Sequence, residues 1–414
     1  MSSTARQRAD VVLLFVTRAA RMFAYGTLPP ILGLYLLKIG LTEKSIGLLL
    51  ALTLAGDTVI SLVLTTQADR LGRKRMLIAG ALLMVLGAGV FAVTGHFWLL
   101  LLAATIGVLS PHGKEVGPFL PVEQAALSQT LPAEQRTRTF AWYHLAGSFA
   151  AALGALACGM LVGALQTREV GELSSYRAVL FIYAGVGALL AVLFLRLSPA
   201  AEAPRGASGV NPESRRIGLH RSRGIVLKLS GLFALDAFGG GFILDSMVAL
   251  WFHMRFGADA ETLGAILAAA NLLAGLSGPA AAALARHFGL LNTMVFTHIP
   301  SNLLLLLVPF MPTLPLAVAV LLLRFAISQM DVPTRQSYTI AVVDPDERSA
   351  AAGVTGVARS TGAMLSPPLA GLLLASDVLG GGLPLVAAGL LKLAYDGLLY
   401  LQFRHTRPPE ELDA

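Results

Sequence analysis

Long apolar runs separated by short polar turns dominate the sequence. A membrane-crossing helix needs about 20 mostly apolar residues. Twelve runs have about that length, at positions 11–37, 45–67, 75–95, 97–128, 139–164, 176–196, 224–254, 260–285, 291–311, 313–342, 350–376 and 382–403. Turns as short as Gly95-His96 require neighbouring helices to be antiparallel. The pattern predicts an all-α integral membrane protein with twelve transmembrane helices, which we number 1 to 12.

One long polar stretch divides this pattern into two sets of six. It covers residues 198–223 and is rich in Pro, Gly, Ser and charged residues. We therefore expect an N-terminal six-helix bundle over 1–197, a cytoplasmic linker over 198–223 and a C-terminal six-helix bundle over 224–414.

The composition excludes most soluble classes of protein. Of 414 residues, 55% are hydrophobic and 13% are charged, whereas soluble domains carry about 25% charged residues. The net charge is 31 − 24 = +7, but the basic residues lie mostly in loops on one side, which the positive-inside rule assigns to the cytoplasm. We expect a functional monomer in the lipid bilayer of the inner (plasma) membrane, with both termini cytoplasmic. No basic stripe interleaved with aromatic residues is present, so nucleic acid is not an expected partner.

The chain has few features of metal or cofactor chemistry. The histidines and the single cysteine, Cys158, show no His-x3-His or Cys-x2-Cys spacing, and the chain has no Walker loop for ATP. We expect no metal, no cofactor and no enzymatic activity.

The two halves of the chain repeat each other. Residues 35–47 align with 252–264 at a shift of 264 − 47 = 217, and 68–72 align with 285–289 at the same shift. Residues 121–124 align with 333–336 at a shift of 336 − 124 = 212. Such a parallel repeat is expected of one class of secondary transporter, whose binding site lies between the halves near mid-membrane.

The loop between helices 2 and 3, at residues 69–75, reads Asp-Arg-Leu-Gly-Arg-Lys-Arg. This loop resembles the signature of the major facilitator superfamily, and residues 344–348, with Ser366-Pro367, also look like that family's second half. The resemblance implies a transporter that rocks its two halves around a cavity lined by helices 1, 4, 7 and 10. It also implies that the signature loop serves conformational switching, through Asp69, Arg70, Gly72 and Arg73.

Charged residues inside the predicted helices fall mostly on helices 1, 4, 7 and 10. Each costs about 2.5 to 3.5 kcal/mol at a helix centre on insertion scales, so each is a functional candidate. We expect the substrate and proton site among Arg18, Arg21, Tyr25, Lys114, Glu115, Asp236, Asp245, Arg324 and Asp331. The alternative is that several form permanent ion pairs between helices.

Several placements follow from spacing. Arg21, Glu115 and Asp236 are expected near mid-membrane with Lys114, and Lys392 is expected to pair with Asp396 four residues later. The glycines at 239–241 mark either a bend in helix 7 or a tight helix contact. Leucine-rich helices 3, 6 and 9 are expected to face lipid.

The repeat also suggests a gate. It places Glu123 of helix 4 and Arg335 of helix 10, which carry opposite charges, at pseudo-symmetric positions. We expect these two to pair in the outward-open state and separate in the inward-open state. The alternative is that each binds a separate neighbour, such as Asp331 for Arg335.

The favoured function is proton-coupled export of a small organic molecule, with Glu115 or Asp236 carrying the proton, because burial raises and a neighbouring cation lowers the proton affinity of a carboxylate. One alternative is uptake or exchange of an organic anion bound by Arg18, Arg21 and Lys114. A more remote alternative is a membrane enzyme or receptor without transport activity.

Overall fold

All regular elements that the computed structural model describes are helical, over residues 3–131, 133–202, 219–344 and 346–405. We label them α1 to α12 after the predicted helices, with a and b for the two parts of a broken one. Seven are single helices: α2 (Glu43–Leu71), α3 (Arg73–Val93), α5 (Ala133–Gln166), α6 (Glu172–Phe194), α8 (Ala260–Phe288), α9 (Leu290–Leu307) and α12 (Leu383–Phe403).

Five helices are broken, and four of these are the helices expected to line the cavity. They are α1a (Ser3–Thr27) and α1b (Pro29–Lys38), α4a (Phe97–Ile106) and α4b (Phe119–Thr130), α7a (Arg223–Gly241) and α7b (Asp245–Phe256), α10a (Leu314–Ile327) and α10b (Asp331–Ala341), and α11a (Arg348–Leu365) and α11b (Pro367–Leu374). Among these residues, nine spans are long and apolar enough to cross a membrane if the two parts of α7 and of α10 are each counted as one span, and the bent pair α1a–α1b adds a tenth. The all-α membrane fold is thereby confirmed. The predicted linker, 198–223, falls largely on residues 203–218, which lie outside the described part of the chain.

The break in α4 corrects one prediction. Residues 107–118 are not helical, so the expected mid-membrane position of Glu115, which assumed a continuous helix over 97–128, does not follow. Two glycines in this segment have backbone conformations that favour glycine, with φ of +60° at Gly113 and +77° at Gly117. Pro111 and Pro118 have no N–H to donate to a helical ladder.

The two halves pack against each other through glycines at one end of the bundle, which we call the opposite face because the described chain ends lie at the other, the terminal face. A Cβ atom at Gly47 of α2 would lie 2.3 Å from the Pro367 carbonyl oxygen of α11b, and one at Gly264 of α8 would lie 2.6 Å from the Ala155 carbonyl oxygen of α5. At the terminal face, the described parts of α4b and α10b are not close-packed neighbours. The halves are therefore closed at the opposite face and parted at the terminal face.

Candidate functional site

A cavity of about 300 Å³ lies between the halves, at the level of the helix breaks. The N-terminal half contributes Leu54, His112 and Lys114, and the C-terminal half supplies most of the wall. The charged and imidazole side chains that line it are His112, Lys114, Asp236, Asp245, His298, Arg324, Asp331, Arg335, Arg359 and Lys392. The broken helices thus surround a polar chamber inside an apolar bundle.

Beside this cavity, the N-terminal half holds a charge network between α1a, α4 and α5. Arg18 donates from Nη1 to Glu115 Oε2 at 2.7 Å. Arg21 lies 2.9 Å from Glu115 Oε1 and donates to both carboxylate oxygens of Glu123 at 2.5 and 2.7 Å. Tyr143 of α5 donates its hydroxyl to Glu123 at 2.5 Å.

This network balances its own charge. Two guanidiniums face two carboxylates, and the side chains of Arg21 and Glu123 are fully buried. Burying a charge without a partner is costly, so each group here needs the others. Arg18 and Arg21 are therefore engaged by protein carboxylates in this structure.

The C-terminal half holds a second network, centred on Asp236 of α7a. Lys392 Nζ of α12 lies 2.6 Å from Asp236 Oδ1, and Arg335 Nη1 of α10b lies 3.1 Å from Asp236 Oδ2. The same Arg335 nitrogen lies 2.8 Å from Asp331 Oδ2. Asp236 therefore forms a cluster separate from Arg21 and Glu115, and the single mid-membrane set that spacing suggested is divided between the halves.

The expected pair of Lys392 with Asp396 is wrong. Asp396 instead accepts hydrogen bonds at 2.7 Å from Nδ1 of His298 and at 2.9 Å from Nδ2 of Asn302, both on α9. Lys392 reaches α7a because Gly239 leaves room: a Cβ atom there would lie 3.1 Å from Lys392 Cγ.

The glycines of α7 combine both proposed roles. Helix α7a ends at Gly241, directly after the run, so a break does occur there. A Cβ atom at Gly241 would lie 2.1 Å from Ser366 Oγ and 2.4 Å from the Ala363 carbonyl oxygen, so α11 packs tightly against the same point. The break and the close contact share one cause, the absence of side chains.

Sequence reasoning missed His298, Asn302 and Arg359. The lipid-facing expectation for α9 is wrong on one side, where His298 and Asn302 are buried. The signal was available, since two polar residues four apart in a leucine-rich helix share one face. Arg359 of α11a lines the cavity, although the resemblance assigned no cavity role to helix 11.

Tyr25 is not part of the cavity wall as described. It is fully buried, donates its hydroxyl to the Val116 carbonyl at 3.1 Å and stacks on Tyr183 with ring centroids 6.2 Å apart. Its contacts hold the non-helical segment of α4 against α1 and α6, which positions Glu115.

At the terminal face, the signature loop is tied to the end of its own half. The backbone amides of Arg73 and Lys74 donate to the Glu202 carboxylate at 2.6 and 3.2 Å, and Arg73 Nη1 donates to the Ala201 carbonyl at 3.2 Å. Gly72 makes the turn with φ of +105°, and Arg70 is exposed. The side chain of Asp69 lies outside the described part of the structure.

A matching carboxylate serves the second half. Glu347 accepts hydrogen bonds from the amides of His220, Arg221 and Ser222 where α7a begins, at 2.9 Å for the last two. Desolvation raises the pKa of the Glu347 carboxyl, but the bonds from these amides outweigh it and lower that pKa to about 2. A carboxylate is stabilised at a helix N-terminus, so Glu202 and Glu347 anchor α3 and α7 alike.

The sequence matches the family description "Major Facilitator Superfamily" over residues 14–367. The chain belongs to the major facilitator superfamily. Members of this superfamily are transporters, so the protein is a membrane transporter and not an enzyme.

The chain is also similar to two curated relatives and to one solved structure. The uncharacterized membrane protein YJR124C of Saccharomyces cerevisiae is 30% identical over 95% of this chain and 94% of its own length. Quinolone resistance protein NorA of Staphylococcus aureus is 31% identical over 28% of this chain and 29% of its own. An inward-facing, unoccupied bacterial homologue of the human lysosomal transporter Spinster superposes with a TM-score of 0.77 at 16% identity, covering 97% of this chain and 98% of that one.

The predicted gate residues of this transporter do not contact each other in this arrangement. Glu123 binds Arg21 and Tyr143, while Arg335 binds Asp331 and Asp236. Each half thus ties its first helix to its fourth by an ion pair, with the signs reversed between halves. The pairing of Glu123 with Arg335 in the other state of the cycle stays a prediction.

Proposed function

We propose that this transporter exports a small organic solute in exchange for protons, with Asp236 as the leading proton carrier and Glu115 as the second candidate. The observation that carries the proposal is the position of Asp236, which lines the cavity and binds cations on two other helices, Arg335 of α10b and Lys392 of α12. Glu115 is not among the lining residues, although its side chain is 18% exposed.

Protonation of Asp236 would change which helices it holds. As a carboxylate it attracts Lys392 and Arg335 at 2.6 and 3.1 Å. A proton removes that attraction and leaves Lys392 buried with a weaker partner, which is unfavourable. Rearrangement of α7a against α10b and α12 relieves this cost, and in this way proton binding biases an equilibrium between two packed states.

Glu115 offers the same chemistry in the N-terminal half. Its carboxylate bridges Arg18 and Arg21, so a proton there would remove the ion pair of Arg18 and leave it only the Tyr143 carbonyl, while Arg21 kept Glu123. Two carboxylates of this kind, one in each half, suit a cycle in which the halves move relative to each other.

Direction and orientation complete the proposal. With both termini in the cytoplasm, as the basic loops predict, the terminal face opens inward and this arrangement is the inward-facing one. Export is supported by the name of the partial relative, Quinolone resistance protein NorA. We place the protein in the inner (plasma) membrane as a monomer, with protons and a small molecule as its partners.

Proteoliposomes with a pH indicator inside test this function. With an imposed pH gradient, a panel of small organic solutes that includes a quinolone antibiotic should contain at least one whose addition drives proton movement. Asp236→Asn should abolish gradient-driven accumulation but leave solute exchange measurable, and Glu115→Gln is tested in parallel. The matched controls are Asp377→Asn and Glu172→Gln, both at exposed positions. Full pH-driven transport by both Asp236→Asn and Glu115→Gln would overturn the proposed proton site.

A further inference from the structure

Three cations in the cavity wall have no carboxylate partner. The lining residues carry five cationic side chains (Lys114, Arg324, Arg335, Arg359, Lys392) and three carboxylates (Asp236, Asp245, Asp331), a balance of 5 − 3 = +2 with histidines neutral. Asp236 and Asp331 are paired with Arg335 and Lys392. Within the described chain, no carboxylate oxygen lies within 4.0 Å of a side-chain nitrogen of Lys114, Arg324 or Arg359, so none of these three residues forms a salt bridge.

Of the three, Arg324 gives the strongest evidence for a missing partner. It is only 8% exposed, and its Nε has no hydrogen-bond partner among the described residues. Its guanidinium lies 5.0 Å from the centre of the Phe325 ring, a contact that stabilises a cation without using its N–H donors. A buried guanidinium with unused donors is unfavourable on its own, so a partner from outside the protein would offset a cost already present.

The remaining carboxylate does not neutralise this group. Asp245 lies in the first turn of α7b, where the positive end of a helix stabilises a carboxylate. It is not within ion-pair distance of Arg324 or Lys114 in the described structure, although all three line the same cavity. One carboxylate also leaves two positive charges in excess.

The three cations belong to different elements that line the same cavity. Lys114 belongs to the non-helical segment of α4, Arg324 to α10a and Arg359 to α11a. The hydroxyl of Ser110 donates to the Lys114 carbonyl at 2.7 Å, which holds the backbone of that segment. The two halves of the transporter therefore both present positive charge to one chamber of about 300 Å³, a volume at the lower end of the range for small-molecule sites, about 300 to 1,000 Å³.

We propose that the transported solute is an anion, whose carboxylate or phosphate group binds Arg324, Arg359 and Lys114. This inference rests on the proposed transport function but is independent of its direction and of proton coupling. It replaces Arg18 and Arg21, which protein carboxylates occupy, with Arg324 and Arg359 as the anion ligands. Guanidinium groups match the geometry of both oxyanions. Because Lys114 belongs to the N-terminal half and the two arginines belong to the C-terminal half, a bound anion links the two halves.

Equilibrium binding to the purified transporter in detergent tests the anion class. Matched probe pairs differ only in charge: succinate and succinamide, benzoate and benzamide, glycerol 3-phosphate and glycerol. At millimolar concentration at least one anion should raise the thermal unfolding temperature, because a ligand that binds only the folded state stabilises it, and its neutral counterpart should not. The pairs also separate a carboxylate preference from a phosphate preference.

Arg324→Gln should lower affinity for the stabilising anion about ten- to hundredfold, since a hydrogen bond to a charged group is lost. Its unfolding temperature without ligand should stay equal or rise, because a buried unpaired charge is removed; a purely structural arginine would give the reverse. Arg324→Lys should retain part of the affinity. Lys114→Gln, at an exposed position, should weaken binding without affecting folding, and Arg196→Gln on the exposed surface is the control.

Three results would overturn the inference: equal stabilisation by a neutral counterpart, unchanged anion affinity in Arg324→Gln, or no stabilisation by any of the anions. No pH gradient is present in this assay, so its failure is distinct from failure of proton coupling. A transporter that moves a neutral solute under a pH gradient would keep the proposed function and lose the anion site.

Discussion

The glycine contact between α2 and α11b should control which face of the transporter is open. A Cβ atom at Gly371 would lie 2.3 Å from the Glu43 carbonyl oxygen, where ordinary contact begins at 3.4 Å. Alanine at this position therefore requires the two helices to separate by about 3.4 − 2.3 = 1.1 Å. Because Gly371 and Glu43 belong to different halves, only the state that is closed at the opposite face carries this cost.

The size of the effect follows from two opposing terms. Overpacking of this kind costs about 1 to 3 kcal/mol. Replacing a helical glycine by alanine stabilises a helix by about 0.5 to 1 kcal/mol, but α11b is helical in both states, so we expect that gain to cancel. Gly371→Ala should then shift the equilibrium toward the state open at the opposite face by about 5- to 150-fold.

Spin labels on the opposite face measure this shift. Labelled cysteines at Arg168 and Asp377, exposed positions in the two halves, report the separation by electron resonance, and the native Cys158 is buried. Gly371→Ala should increase the population of long distances. Gly89→Ala on α3, where a Cβ atom would have no neighbour within 4 Å, should leave the distribution unchanged.

Gly47→Ala provides the independent check. A Cβ atom there would lie 2.3 Å from the Pro367 carbonyl oxygen across the same contact, so the two variants should shift the distances in the same direction. Distance distributions like those of the unmutated transporter in both variants would refute the view that this contact closes the opposite face.

Four further results are expected. Glu123→Gln should lower the free energy of unfolding by about 3 kcal/mol, the lower end of the cost of breaking a buried pair, because Arg21 keeps a second carboxylate; denaturation in mixed micelles measures it. The folded-state pKa of Glu347 is lowered to about 2 from 4.5, so the stability that its carboxylate contributes is complete above about pH 4.5 and is lost as the pH falls toward 2. The free energy of unfolding should therefore fall less between pH 4.5 and pH 2 in Glu347→Gln than in the unmutated protein. Asp69→Asn should slow transport in proteoliposomes without a large change in equilibrium solute affinity; a large affinity loss would contradict a switching role. The double variant Glu123→Arg with Arg335→Glu should give spin-label distances at the terminal face that are closer to those of the unmutated protein than the distances in either single variant. Distances farther from the unmutated values than in either single variant would exclude this pair as a gate.

Much of the architecture follows from local sequence alone. The length of an apolar run determines whether a helix can cross a membrane, and proline or glycine determines where it is interrupted, because both effects act within a few residues. The charges of helices 1, 4, 7 and 10 stand out for the same reason, since a buried charge is rare whatever surrounds it. The glycines at 239–241 predict either a bend or a tight helix contact, and the break after Gly241 agrees with the first interpretation. The non-helical segment of α4 was missed, although it contains Pro111 and Gly113.

The partners of those charges were decided by the tertiary structure. Helical spacing favoured Lys392 with Asp396, yet Lys392 binds Asp236 on α7a and Asp396 binds His298 on α9. In an apolar bundle a buried ion is stabilised by an oppositely charged or hydrogen-bonding neighbour that replaces the water it has lost. That choice depends on helix packing between residues that are 98 and 156 positions apart in the sequence.

The excess positive charge of the cavity was likewise decided by the tertiary structure. Sequence identifies Arg324 as a charge within a helix but cannot show whether a carboxylate faces it. Only after Asp236 and Asp331 are assigned to Arg335 and Lys392 does Arg324 remain without a partner in the described structure. The pairs of Asp236 with Arg335 and Lys392 join groups that are distant in sequence, so whether Arg324 has a carboxylate partner is a property of packing.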